Sequence, residues 1–103
     1  MIRVKVLKVV GDSMKPTYLH GDYALALRFW GQRIRQGQVV AVHHPDYGGL
    51  IKRVAAVEAD GLRLHGDNPK STPSASFGLV PTSALIGRVF WRIPAPAALA
   101  DPQ

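Results

Sequence analysis

The sequence contains no cysteine, and that absence removes three kinds of chemistry: a disulfide framework, a thiolate metal site and a cysteine nucleophile. Long apolar runs are missing too. Val6-Leu7 and Val9-Val10 are split by Lys8, far short of the roughly 18 apolar residues that a membrane span needs. No segment has the basic, apolar, small-residue order of a signal peptide. Acidic residues are scarce: 7 Asp and Glu stand against 13 Lys and Arg, for a net charge of +6. Such a surplus favours an acidic partner, an anionic membrane surface or nucleic acid. The basic residues are scattered from Arg3 to Arg92 without forming a block, however. A scattered surplus reads as a solvated surface, so no nucleic-acid partner is expected, while peripheral membrane contact stays open. The expectation is a soluble, cytoplasmic protein.

What is present has the rhythm of strands. Ile2-Val4-Val6 alternates with Arg3-Lys5, Tyr23 to Leu27 follows a Gly-Asp turn, and Val39 to Val42 is a short apolar run before Pro45. Leu50 to Glu58 and Leu62 to His65 flank Ala59-Asp60-Gly61, a strong hairpin signal. Leu85 to Ile93 reads as a last long strand. Ten glycines and eight prolines punctuate these runs, as an all-β domain requires. At 103 residues the chain is one domain with a modest core. Residues 1–93 are expected to form it, and 94–103 a frayed Pro/Ala-rich tail. One helical turn is expected over Ser13 to Leu19, because Pro16 suits a helix start.

Ser13 sits in GDSMKPT, residues 11–17. A serine hydroxyl becomes a nucleophile at neutral pH only beside a base. His43 and His44 are strand neighbours whose side chains point to opposite faces, which argues against a shared metal. His20 and His65 read as exposed polar residues. Lys52 differs: in GLIKRVAAVEA it shares a face with Leu50, Val54 and Ala56. Burial lowers a lysine pKa and can leave a neutral amine, a proton acceptor. The alternative is a stem laid on the sheet with its head in water. Spacing alone favours that alternative.

Four segments in order, GDSMKPT, GDYALALRF, IKRVAAV and GDNPKST before Phe77-Gly78, resemble the boxes of the signal peptidase I family of Ser–Lys endopeptidases. The resemblance spans about residues 9–91 and implies a small coiled antiparallel all-β fold of the LexA and signal peptidase type. It implies Ser13 as nucleophile, Lys52 as general base and Ser71 as the hydroxyl that orients the lysine. Met14, with Gly11 and Asp12 beside it, would contact substrate in a shallow pocket for small side chains. Ser13 opens a tight turn, so its backbone N–H can face an oxyanion. Pro16 and Thr17 would fix that turn, and Gly66, Asp67 and Asn68 read as turn formers. No metal or cofactor is implied. Two departures stand out. Pro73-Ser74-Ala75 replaces the family's Asp-Ser-Arg triplet, removing a charge pair and predicting a looser loop. Gly11 stands where many members have a serine.

The short form without an anchor, and GDNP in particular, resembles the maturation proteases of nickel-type superoxide dismutase, which remove an N-terminal leader from a protein precursor. Two other readings compete with this one. A LexA-like self-processing domain shares the serine and the strand lysine, but only twelve residues precede Ser13 and they read as a strand. A catalytically silent module would hold an extended peptide by strand addition. Phe29 and Trp30 could then touch a partner or a bilayer, or else fill a small core under a loop.

Overall fold

The computed structural model describes residues 1–45, 48–70 and 78–96. Its strands are β1 (Ile2–Lys8), β2 (Tyr23–Phe29), β3 (Val39–His44), β4 (Gly48–Glu58), β5 (Gly61–His65), β6 (Leu79–Val80) and β7 (Leu85–Ile93), with a 3-10 turn at Thr82–Ala84. They form one antiparallel sheet in the order β1-β2-β7-β3-β4-β5-β6. The fold is the all-β one that the alternating pattern predicts. Register shifts at Leu25/Ala26, Ala41/Val42 and Val54/Ala56 curl the sheet, since a bulge bends its strand and increases the local twist.

Curling explains why Val39 to Val42 are all buried. The central strand is covered on both faces. Val39 and Ala41 join Met14, Tyr18, Ala24, Ala26 and Ile51 in one core. Val40 and Val42 join Val54, Leu62, Leu64 and Val80 in the other. A strand buried on both faces reads as a continuous apolar run, as Val39–Val42 does.

The β4–β5 hairpin is tighter than its sequence implies. Glu58 pairs with Gly61, so the loop is Ala59-Asp60 and Gly61 belongs to the strand. Gly61 has φ +152°, and a Cβ there would lie 2.3 Å from the Val80 carbonyl oxygen. The missing side chain is what lets β6 close against β5.

Two points left open by the sequence resolve here. Ser13 to Leu19 is a turn, with one i to i+4 bond from Tyr18 N–H to the Met14 carbonyl at 2.9 Å. Met14 and Tyr18 are drawn into the first core, and that packing holds the turn without further helix. Trp30 is 93% exposed, not part of a small core. β2 ends at Phe29 and the chain reverses at Gly31, with φ +82°, so the indole lies beyond both cores. Among the described residues no helix is long and apolar enough to cross a membrane.

Candidate active site

The serine turn hangs between β1 and β2. Val9 N–H bonds to the Asp22 carbonyl at 2.7 Å and Gly21 N–H to the Val9 carbonyl at 2.9 Å, closing its neck. Gly11 adopts φ +83°, a left-handed conformation that glycine takes without steric cost, and its N–H donates to His20 Nδ1 at 3.0 Å. His20 is exposed, as its sequence reads, and it also caps the loop. Ser13 is half-buried and Met14 is buried beneath it. With Leu7 to Val10 on one side and Gly49 to Ile51 on the other, they line a cleft of about 260 Å³. Gly11 and Asp12 serve the turn's geometry: the Asp12 carbonyl accepts from Lys15 N–H at 3.1 Å and from Asn68 Nδ2 at 3.0 Å.

Lys52 follows directly on the cleft's second wall. It pairs with Val40 in the register, on the face that carries Val42 and Val54 into the second core. Only 4% of it is exposed, so its head does not reach out to water along the sheet. Burial pushes its pKa below the usual lysine range, because desolvation penalises the ammonium form.

Serine turn and lysine strand are tied together by Gly66-Asp67-Asn68. Arg53 pairs with His65, which starts this loop beside the lysine. Asn68 N–H then donates to the Ser13 carbonyl at 2.9 Å, and its side chain holds Lys70 N–H at 3.0 Å. Asp67 accepts a two-pronged bond from Arg53, Nε to Oδ1 and a terminal nitrogen to Oδ2, both at 2.8 Å, and a bond from the Thr17 hydroxyl. Arg53 also donates to the Gly37 carbonyl at 2.6 Å. A bidentate guanidinium–carboxylate pair fixes orientation as well as distance. The turn-forming role read from residues 66–68 thus acquires specific partners, while Arg53 had no distinct signal in the sequence. Ser71, Pro73, Ser74, Ala75 and Phe77 lie outside the described residues.

Two carboxylates brace this end of the molecule. Hydrogen bonding from Arg53 holds Asp67 below the usual carboxylate range. Burial alone would raise Asp22, but the Leu19 and Ala95 N–H groups and Arg92 outweigh it and lower its pKa. A depressed carboxylate contributes stability that is complete above its unfolded value near pH ~4 and is lost as pH falls through the folded value. Urea midpoints should therefore stay level from neutral pH down to the unfolded carboxylate range and drop below it. The double variant Asp22→Asn/Asp67→Asn should show a shallower acid limb.

His43 is exposed and His44 half-buried at the end of β3. Among the described residues no group of three or more His, Asp or Glu could hold a metal ion. The arrangement is a serine-bearing turn packed against a strand that buries a lysine amine.

A family profile described as Peptidase S24-like matches residues 3–90. No curated protein and no solved structure matches the chain.

Proposed function

Because the chain belongs to the Peptidase S24-like family, a serine-peptidase superfamily of LexA and signal peptidase type, we propose that it is a serine endopeptidase built on Ser13 and Lys52. The burial of Lys52, with its lowered pKa, carries the proposal. The neutral amine takes the Ser13 proton as Oγ bonds to the substrate carbonyl carbon, and the Ser13 N–H donates to the resulting oxyanion. Collapse expels the amine product, which takes the proton from Lys52. Water, deprotonated by the same amine, then bonds to the acyl carbon, and the Ser13 Oγ leaves and takes the proton back from Lys52. Ser71 orients the amine; Ser71→Ala should slow turnover and leave the unfolding free energy within about 1 kcal/mol of the wild type. Substrate lies extended between Lys8–Val10 and Gly49–Ile51, as an added strand, with Met14 beneath a small side chain.

The proposed substrate is the cytoplasmic precursor of a nickel-type superoxide dismutase, cut to remove its N-terminal leader. Its support is the GDNP box at residues 66–69. Mass spectrometry of that precursor, incubated with the wild type and with Ser13→Ala, is the test. One cut made only by the wild type is expected. An uncut precursor rejects this substrate, and precursor bound equally by both proteins without cutting assigns the chain to a silent peptide-holding module.

A further inference from the structure

The face of β1 that bears Leu7 also bears Arg3 and Lys5, since alternate residues share a face. The register sets Arg3 directly across from Arg28. Like charges opposed in an antiparallel pair are unfavourable, and among the described residues no acid relieves them. Asp12, Asp22, Glu58 and Asp67 pair with Lys15, Arg92, Arg63 and Arg53. No ion pair reaches Arg3, Lys5 or Arg28 among the described residues. Arg28 is steadied by Gln32 Oε1 at 3.3 Å.

Two cavities meet at this arginine pair. One, of about 430 Å³, is lined by Arg3, Lys5, Arg28 and His43 with Ile86. The other, of about 670 Å³, extends to Trp30 and Met1. The first adjoins the serine cleft. Leu7 lines that cleft, and a methyl placed on Gly49 would lie 3.3 Å from Leu7 and 3.9 Å from Ile86. Leu7, which lines the serine cleft, and Ile86, which lines the basic one, thus both pack over Gly49, and the two cavities lie on either side of that contact. Arg3 stands roughly 13 Å beyond Leu7 along an extended strand, so a peptide seated at Ser13 reaches the arginines some four to eight residues from its reacting carbonyl.

We propose that the Arg3–Lys5–Arg28 cleft is a subsite for acidic side chains on the leader side of the scissile bond. The inference rests on the peptidase reading and names the class of leader: one bearing Asp or Glu upstream of a small residue. A single strand of nucleic acid would meet the same cations. The face of β1 that leads from Arg3 and Lys5 to Leu7 at the serine cleft favours the peptide.

The test uses synthetic peptides with alanine at the cut and a Glu pair moved position by position along both sides. Cleavage is followed with the wild type, and binding by fluorescence anisotropy with Ser13→Ala. The pair placed about four to eight residues upstream should raise kcat/KM at least tenfold, mainly through KM. Arg3→Glu should abolish that preference while folding at least as well, because it creates an opposite-charge pair with Arg28. Arg63→Gln, remote from the cleft, should preserve it. Cleavage indifferent to the Glu position, or a preference that survives Arg3→Glu, overturns the subsite and leaves the peptidase reading standing. An oligonucleotide that binds through the same arginines more tightly than the Glu peptide also overturns it. Absence of any cleavage, with Glu peptides still held, refutes the peptidase reading and the leader subsite together.

Discussion

Lys52→Arg should be inactive, with kcat/KM down by roughly 10⁴-fold, the scale of losing one member of a catalytic unit. Guanidinium stays protonated at every working pH and cannot take the serine proton. Lys52→Ala and Ser13→Ala should fall equally far, and the Ser13→Ala/Lys52→Ala pair no further, because residues that act as one unit do not add. His43→Ala and His44→Ala should leave the rate largely intact. In the wild type the rate should rise with pH through the lowered lysine pKa and level off above it, since the amine must be neutral to act. A profile that follows a histidine, or activity retained in Lys52→Arg, would misassign the base. Lys52→Met separates chemistry from folding. It should be equally inactive yet more stable by about 1 kcal/mol, because a buried amine costs stability that an apolar side chain does not.

Gly61→Ala should lower the unfolding free energy by roughly 3 kcal/mol, combining overpacking with an unfavourable backbone conformation. Its Cβ would collide with the backbone of Val80, at 2.3 Å from the oxygen and 2.9 Å from the carbon. Backbone has no alternative rotamer to retreat to. The displaced β6 would uncover Leu62 and Val80 in the second core. That core covers the face of Lys52, so activity should fall with stability. A urea midpoint unchanged from the wild type would mean that β6 is not held as described.

The strands were legible because alternation in β1 and β2, and the Asp-Gly signal at 60–61, are local properties. β6 was not: two residues carry no period. Lys52 stood out as a lysine in an apolar row, but whether its head was buried depended on the second core covering that row, and this is set by Leu62, Leu64 and Val80 from later in the chain. The clamp on the serine turn was half visible. Asp67 and Asn68 read as turn residues by type, whereas their partners Arg53, Thr17 and Ser13 are chosen by register and curl. The same holds for the basic cleft. Arg3 and Arg28 look scattered in the sequence and meet only because β1 and β2 pair as they do. His20 illustrates the limit at short range: nothing in Leu19-His20-Gly21 announces the bond from Gly11 N–H.

Activation of Ser13 by Lys52 is tested by a reaction that needs no knowledge of the substrate. A small fluorophosphonate forms a bond from the serine Oγ to phosphorus and expels fluoride, and peptide mapping locates the adduct. One adduct is predicted, on Ser13, formed faster as pH rises and lost in Lys52→Met, which keeps the fold. Labelling of Ser13 at the same rate with and without the Lys52 amine, or no labelling of Ser13 at any pH, would show that Lys52 does not activate Ser13.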